Sequence, residues 1–355
     1  MSYELSLRGW LPPRIGRITN FKWWVVLFAS LLLVSCGNNP LKVDVSSVPV
    51  DPVKIVRFDR DFFALDSGNI EQNLSALQKK YPGFADLFVK NIVCKNGIPD
   101  SACIPEITRF VTDKDMRSAF DACQNVFGET GLSETESGLT DVLRHYKYYF
   151  PKRSLPKFYA MMSGFNYSIA TADSNFAIGL EKYLGRKCRF YEMLQIPDYV
   201  RITMQKEYIV PDLTRAWMLR EFPNQNRSGS LLSEMIYQGK ILYLEDALIP
   251  EMNDTLKIGF TKKQMDWCNE HEKDVWGHLV QNKFLYSKAV DVVTKFTGEG
   301  PFTTGFVKES PARTGVWIGW KIVRDYMKAN PKTTLEQLMN ENDPQMILSK
   351  SKYKP

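Results

Sequence analysis

The sequence has few of the residues and motifs that mark common catalytic sites. Its 355 residues include only three histidines, His145, His271 and His278. It contains no HExxH zinc motif, no GxSxG nucleophile motif, no Walker loop and no GxGxxG dinucleotide motif. It also lacks a CxxC pair, so neither a redox motif nor a zinc ribbon is supported. We therefore predict no catalytic residue, no cofactor and no metal ligand, and we favour a protein that is not an enzyme.

Two of the histidines lie in a segment that begins like a zinc-peptidase motif. His271 is followed by Glu272, but Val275 stands where the second histidine would be. On one straight helix His271 and His278 would be about 10.5 Å apart along the axis, too far for both to bind one zinc ion. We interpret them as polar positions on an amphipathic helix, and His145 as a packing or hydrogen-bonding residue.

Paired carboxylates and clustered aromatics are the remaining candidates for a site. Pairs of carboxylates can act as acid and base, but we interpret the two pairs in this sequence as solvated ends of secondary structure. The aromatic side chains could line a cleft for sugar or peptide, although such spacings are more typical of a core. The carboxylate pairs are Asp59 with Asp61 and Glu245 with Asp246, and the aromatics are Phe158, Tyr159, Phe165, Tyr167, Trp317 and Trp320.

The sequence has no strong excess of charge of either sign. The net charge is +6, and removal of the four basic residues and one acidic residue among residues 1–35 leaves +3. Nucleic-acid-binding surfaces carry dense clusters of lysine and arginine, and no such cluster is present. We therefore predict no nucleic-acid partner.

The N-terminus has the pattern of a secreted lipoprotein. A basic leader precedes an apolar run over residues 23–34, which is shorter than the roughly 20 residues of a spanning helix and typical of a signal peptide. Leu33-Val34-Ser35-Cys36 resembles the lipobox, in which the cysteine thiol takes up a diacylglycerol. The sequence predicts a signal peptide over 1–35 and lipidation, with fatty acids such as palmitate, at Cys36. An ordinary signal peptide or membrane anchor is the alternative.

Composition divides the mature chain into a tether and a folded body. Residues 36–52 are polar and rich in proline, asparagine and serine, as expected of a lipidated tether. Two or more acyl chains hold a protein firmly on a membrane, so we expect a permanent anchor. Residues 53–355 are predicted to form a single large globular domain.

Five cysteines follow Cys36, so at least one of them is unpaired. Cys94 and Cys103 are nine residues apart and flank turn-forming sequence. An envelope location permits disulfides, and a bridge of this loop size would contribute roughly 2–3 kcal/mol. We predict a Cys94–Cys103 disulfide, with Cys123 as a competing partner.

The hydrophobic pattern predicts an α+β fold that is predominantly helical with a small β-sheet. A strand is predicted over 53–58, and further strands over 157–163 and 175–180. Helical periodicity and capping boxes, at Thr261 with Gln264 and at Thr333 with Glu336, indicate the helices. The predicted helices cover residues 70–80, 139–150, 199–207, 213–222, 231–248, 261–279, 313–329 and 333–339.

Several motifs in order along the chain resemble the gliding motility-associated lipoprotein B (GldB) family of Bacteroidetes. They lie at residues 55–63, 81–84, 149–151, 163–167, 178–185, 235–240, 270–276, 301–302, 311–315 and 319–327. The resemblance covers nearly all of the mature chain. It implies an outer-membrane lipoprotein of the cell envelope that is connected with gliding motility and, by association, with type IX secretion. Whether the domain faces the periplasm or the outside is left open.

The second half is similar, more distantly, to a zinc-peptidase-like family. There an HExxH helix precedes a helix with a glutamate ligand just before a glycine. The matching position here is Gln238-Gly239, and the HExxH motif is missing. The likeness implies a degenerate peptidase scaffold that has lost its metal.

Three functions remain open. The first, which we favour, is a non-catalytic scaffold or partner-binding component of the envelope. The second is a zinc-peptidase-like hydrolase of envelope peptides or glycans, and the third is a glycan- or peptide-binding surface lipoprotein.

Overall fold

The computed structural model of the chain describes residues 40–98, 100–172, 174–225 and 229–355. The predicted signal peptide and the predicted lipidation site Cys36 lie outside the described residues. The contact pattern divides the chain into Met1–Lys42 and Val43–Pro355, and the following account concerns the second unit. Its first residues are partly packed, since Val45 is only 8% exposed. The predicted boundary between tether and domain stays a prediction.

The described residues are mostly helical, as predicted. Short 3-10 helices lie at Ser101–Cys103, Leu180–Tyr183, Lys206–Tyr208 and Phe284–Tyr286, and a π-helical turn at Val89–Val93. The α-helices are α1 (Phe58–Phe63), α2 (Ile70–Lys80), α3 (Phe84–Phe88), α4 (Ile104–Thr112), α5 (Lys114–Phe127), α6 (Ser133–Tyr149), α7 (Arg189–Met193), α8 (Asp198–Arg201), α9 (Ile209–Glu221), α10 (Leu231–Leu248), α11 (Asp254–Ile258), α12 (Lys262–Glu270), α13 (Glu272–Gln281), α14 (Val290–Thr297), α15 (Thr314–Ala329), α16 (Leu335–Asn340) and α17 (Pro344–Ser351).

A three-stranded mixed sheet completes the fold. Strands β1 (Lys157–Met161), β2 (Ile169–Ala172) and β3 (Asn175–Gly179) are arranged in the order β1-β3-β2. β1 pairs with β3 in parallel, with Phe158 opposite Phe176, and β2 pairs with β3 antiparallel. The predicted α+β class, mainly helical with a small sheet, is therefore confirmed.

Helix α10 is the centre of the core. Fifteen of its 18 residues are buried, and they lie on every side of the helix. A helix that is apolar around most of its circumference is buried in a core, which is why the sequence predicted its bounds correctly. Ser230 is the N-cap of α10, because its side chain accepts a hydrogen bond from the backbone N–H of Ser233.

Helix α15 crosses α10 at a contact between two glycines. A Cβ atom on Gly239 would lie 2.4 Å from the carbonyl carbon and oxygen of Gly319, and one on Gly319 would lie 1.9 Å from the carbonyl oxygen of Met235. Contacts under 3.0 Å are not made by real Cβ atoms, so only glycine fits either position. The two backbones are therefore in direct contact at the crossing.

Several helix predictions were wrong in detail. α6 begins at Ser133 and α9 at Ile209, six and four residues before their predicted starts. The helix predicted over 199–207 is broken into α8 and a 3-10 turn at Lys206–Tyr208. The helix predicted over 261–279 ends at Glu270, and α13 begins two residues later. The last capping box uses Thr334 and Gln337, one residue beyond the predicted pair. The Thr261–Gln264 box is confirmed.

The first predicted strand was also wrong. Residues 53–57 make only an isolated bridge, between Val56 and Tyr159. From Phe58 the chain is helical, because Phe58 and Phe62 lie one turn apart and both pack on the ring of Phe88, at 4.8 Å between centroids. The sequence also missed strand β2, which is four residues long.

Cys94 and Cys103 are joined by a disulfide in the structure, with their Cα atoms 5.6 Å apart. Cys123, the competing partner, is buried and free, as is Cys268, and Cys188 is free and partly exposed. The pairing in the purified protein stays a prediction.

The glycine contact predicts opposite effects for one substitution at two helical sites. Gly239→Ala should lower the free energy of unfolding by about 1–3 kcal/mol, because the new methyl group forces the backbones apart. Gly277→Ala in α13 is the matched control, since a Cβ there meets nothing within 4 Å. It should raise the stability by about 0.5–1 kcal/mol. Urea denaturation of both variants measures this, and equal stability would contradict the backbone contact.

Candidate functional site

Two of the three histidines, His145 and His271, are held by hydrogen bonds to their own helices. His145 is 8% exposed, and its Nδ1 donates to the carbonyl oxygen of Asp141 at 2.9 Å. His271 ends α12, where its Nδ1 donates to the carbonyl oxygen of Trp267 at 2.9 Å and its ring stacks on that indole at 4.6 Å. The contact of His145 agrees with the packing or hydrogen-bonding role predicted for it.

His278 lies in α13 among aromatic rings. Its ring centroid is 5.6 Å from that of Phe284 and 5.1 Å from that of Phe306. Burial, followed by the nearby charge of Lys295, lowers its pKa. His271 and His278 belong to different helices, which corrects the prediction of a single helix carrying both.

Asp59 and Asp61 do not form an acid–base pair. Asp59 is only 1% exposed and accepts two hydrogen bonds from Arg57, at 2.9 and 2.7 Å. Asp61 faces other partners, the ammonium of Lys80 and the hydroxyl of Tyr81. The prediction that both are solvated was wrong for Asp59, because the guanidinium and the amide of Gln124 satisfy it in the interior.

Glu245 and Asp246 near the end of α10 are buried too, at 0% and 4% exposure. The prediction of a solvated helix end was therefore wrong. Adjacent residues of a helix point about 100° apart, and the two carboxylates take part in separate ion-pair clusters. Glu245 binds Arg215 of α9 through two contacts, at 2.8 and 3.2 Å.

Asp246 joins three helices. Its carboxylate accepts from the Nζ of Lys257 at 2.9 Å and from the indole Nε1 of Trp320 at 2.9 Å. Arg324 donates to both of its oxygens, at 2.7 and 2.6 Å, and also binds Asp254 at 2.7 and 2.9 Å. The guanidinium lies 3.7 Å from the Trp320 ring centroid. Every charge in this cluster has a partner, so the cluster holds α10, α11 and α15 together.

The Glu245 cluster lies beside a cleft, which we call the charged cleft. Its volume is about 230 Å³. It is lined by Tyr199, Val200, Ile202, Thr203, Asp212, Arg215, Gly259, Phe260, Gln264, Glu299, Gly300, Pro311, Ala312 and Arg313.

Two arginines and two acids of the cleft come from distant segments. Asp212 accepts from the hydroxyl of Tyr183 at 2.8 Å. Arg313 donates to the carbonyl oxygen of Ile258 at 2.6 Å, and its Nε lies 3.3 Å from Glu299. Arg313 has a left-handed backbone, with φ of 59°, immediately before α15.

Burial dominates the electrostatics of the cleft. It raises the pKa of Glu245 to about 8, against the opposing effect of Arg215. It also raises the pKa of Asp212, again opposed by Arg215. The cleft thus carries positive and negative groups side by side. Its chemistry suits a small polar ligand with both a carboxylate and a donor group, and the same ion pairs fix α9 against α10.

Another buried acid, Glu181, explains one of the sequence motifs. The carboxylate of Glu181 accepts from the backbone N–H and the hydroxyl of Ser163, both at 2.6 Å, and from the N–H of Phe165 at 3.1 Å. Phe165 has a positive φ of 65°, and the loop 163–167 folds around the acid. Burial raises the pKa of Glu181.

The aromatic residues that were considered as the lining of a cleft are mostly buried. Trp317 and Trp320 are 2% and 1% exposed in α15, and Phe158 is 3% exposed in the sheet. Tyr159 stacks on Phe84 at 3.9 Å. These residues are core side chains, as the spacing favoured, and Tyr167 is the exposed member of the set at 47%.

The position that matched a zinc ligand has a structural role. The amide of Gln238 donates to Glu234 one turn earlier, at 2.8 Å. Its neighbour Gly239 lies at the contact where α10 crosses α15. Within the described ranges no group of three or more His, Cys, Asp and Glu side chains is placed to hold a metal ion. The residues at this position do not fit a zinc site.

Comparison with known proteins gives one match. The family model for gliding motility protein GldB matches residues 38–355. Searches of curated proteins and of solved structures gave no significant match. In the part of the chain that the structure describes, no helix has the length and apolar character needed to cross a membrane.

The buried pair predicts a large, pH-dependent loss of stability in Arg215→Met. Leaving Glu245 buried without its partner should cost about 3–5 kcal/mol. The acid has a raised pKa in the folded state, so stability falls as the pH rises from its unfolded pKa towards its folded one. The loss should therefore be larger at pH 8 than at pH 5.

Arg186→Met is the matched control. Arg186 binds Asp198 with the same two-contact geometry, but the side chains are 48% and 68% exposed. Its removal should cost less than about 1 kcal/mol. Chemical denaturation at both pH values measures the difference, and equal effects in the two variants would contradict a structural role for the buried pair.

Proposed function

The chain belongs to the gliding motility protein GldB family, and from this premise we propose that it is a non-catalytic scaffold of the cell envelope that holds a protein partner. Family membership makes it a gliding motility-related lipoprotein. The partner we propose is a component of the gliding or type IX secretion machinery. The proposed site is the outer membrane, with the chain anchored by lipid on Cys36.

The observation that carries the proposal is the extent of the family match. It begins at residue 38, two residues after Cys36, and runs to residue 355. The match therefore takes in the folded body together with the residues beside the proposed lipidation site. Two or more acyl chains at that site would hold the body at the membrane surface.

The contacts of the interior support a role without catalysis. A general acid or base must reach a substrate. Glu245, Asp246 and Asp59 are instead bound to arginines in the interior, and His145 and His271 to backbone carbonyls. The ion pairs and hydrogen bonds of these side chains contribute to holding the helices together. The charged cleft offers a small polar cavity, and no contact of the described residues favours a hydrolase there over a structural cleft.

Loss of lipidation should abolish the function. In cells that depend on this gene for colony spreading or type IX secretion, Cys36→Ser should incorporate no labelled palmitate, should remain uncleaved and should fail to complement. Cys188→Ser is the control, because Cys188 is free and only partly buried; it should be lipidated and active. Full activity of Cys36→Ser would overturn the proposed anchor.

Loss of both candidate histidines should leave the function intact. His271→Gln with His278→Gln removes the only imidazoles of the α12–α13 segment and should support spreading or secretion at the level of the unmodified protein, once abundance is matched by immunoblot. Loss of activity in a stable, abundant double variant would show that an imidazole takes part in the function and would contradict a scaffold.

A further inference from the structure

The charged side chains that line the charged cleft are balanced in sign. Arg215 and Arg313 are basic, Asp212 and Glu299 are acidic, and the other lining residues are uncharged. The four come from α9 and from the segment between α14 and α15. A small molecule that pairs with both kinds of group must itself carry charge of both signs.

The two arginines of the cleft have donors without protein partners. Arg215 donates to Glu245 through Nε and Nη2, and Arg313 donates to the carbonyl oxygen of Ile258 through Nη2. Among the described residues, nothing accepts a hydrogen bond from the Nη1 of either guanidinium. The buried Nε of Arg313 also makes no hydrogen bond within the described ranges, although Glu299 lies 3.3 Å away. Buried donors are nearly always paired, so the cleft offers hydrogen bonds to an acceptor group of a ligand.

Arg324 in the Asp246 cluster shows the contrasting arrangement. Its Nε donates to Asp246, its Nη1 to Asp254 and its Nη2 to both carboxylates. Every nitrogen of that guanidinium is therefore used within the fold. The free Nη1 groups in the charged cleft distinguish its arginines from an arginine whose role is structural.

Asp212 supplies an acceptor beside these donors. Its Oδ2 accepts from the hydroxyl of Tyr183 at 2.8 Å, and no side chain or backbone group in the described part of the chain donates to its Oδ1. Asp212 precedes Arg215 by three residues on α9, so the two side chains lie on one face of the helix. A carboxylate oxygen accepts from an ammonium group. The cleft therefore places a site for a cationic group next to a site for an anionic one.

The two guanidiniums also repel each other. Burial lowers the pKa of Arg313, Glu299 opposes this effect, and the charge of Arg215 adds to it. The charges are thus close enough to interact. A carboxylate bound between them would relieve the repulsion, because it would attract both.

The size and the acids of the cleft limit the ligand further. Its volume of about 230 Å³ is below the roughly 300–1,000 Å³ of pockets for drug-sized molecules. Val200, Ile202 and Phe260 form an apolar part of the lining, which suits a short side chain. Phosphate or another multivalent anion would meet the like charges of Asp212 and Glu299, which disfavour it. A small molecule with one carboxylate, one ammonium group and a short side chain meets all of these limits.

We propose that the charged cleft binds a free α-amino acid, with its carboxylate on Arg215 and Arg313 and its ammonium group on Asp212. This site goes beyond the scaffold function, because it takes a small molecule and requires no protein partner. The ligand would add a contact between α9 and the segment that leads into α15.

Isothermal titration calorimetry of the purified full chain tests the proposal. The common amino acids, in L and D forms, are titrated singly, and the tightest binder is compared with its N-acetyl derivative, its amide and inorganic phosphate. We expect a Kd of about 1 mM or lower for at least one amino acid, and about ten-fold weaker binding or less for the other three probes. Binding by no amino acid, or equal binding of any of the three probes, would overturn the proposal.

Variants of the two charged ends separate recognition from folding. Arg313→Met should raise the Kd of the amino acid by about ten-fold or more. Asp212→Asn keeps the shape of the side chain and removes its charge, so it should weaken the amino acid but not the N-acetyl derivative. A purely structural defect would weaken both alike. Arg109→Met is the control, because Arg109 is 76% exposed on α4 and outside the lining; it should change neither Kd.

Urea denaturation establishes that each variant is folded. If Arg313→Met does not fold, Asp212→Asn carries the test alone. An unchanged preference of Asp212→Asn for the amino acid over its N-acetyl derivative would overturn the site. The scaffold function would stand in that case, because it concerns a protein partner and is tested by co-purification.

Discussion

The direct backbone contact of Gly239 with Gly319 sets the arrangement on which the rest of the core depends. It brings α10 and α15 closer than any side chain would permit. At this separation Trp320 and Arg324 of α15 reach Asp246 of α10. A wider crossing would remove both of these donors and leave the buried carboxylate with Lys257 as its remaining partner, which is costly. The full set of contacts of the Asp246 cluster thus depends on the glycine contact.

The second consequence concerns function. Helix α10 carries two adjacent acids, Glu245 and Asp246. Each is paired with an arginine of a neighbouring helix, and these ion pairs hold the helices together. Chemistry that resembles an active site in the sequence therefore serves the fold. The family match shows a gliding motility-related lipoprotein, and the partner-holding role is our proposal.

The sequence predicted the long elements well and the site poorly. α10 could be predicted because its apolar residues surround the helix and Ser230 begins it. The helix at Phe58–Phe63 could not, because it depends on contacts with Phe84 and Phe88, about 25 residues away. The burial of Asp59 depends on Gln124, which is 65 residues distant. The charged cleft takes Tyr199, Arg215 and Arg313 from three separate segments, so no spacing within the sequence could signal it.

The central claim, that this lipoprotein is a partner-binding component of the gliding or secretion machinery, is tested most directly by quantitative co-purification. The tagged, lipidated protein would be isolated from gently solubilised envelopes and compared with an abundant, unrelated lipoprotein carrying the same tag. We predict selective enrichment of at least one gliding or type IX secretion component at near-stoichiometric amounts. Recovery of the same bulk lipoproteins with both baits, and of no machinery component, would contradict the account.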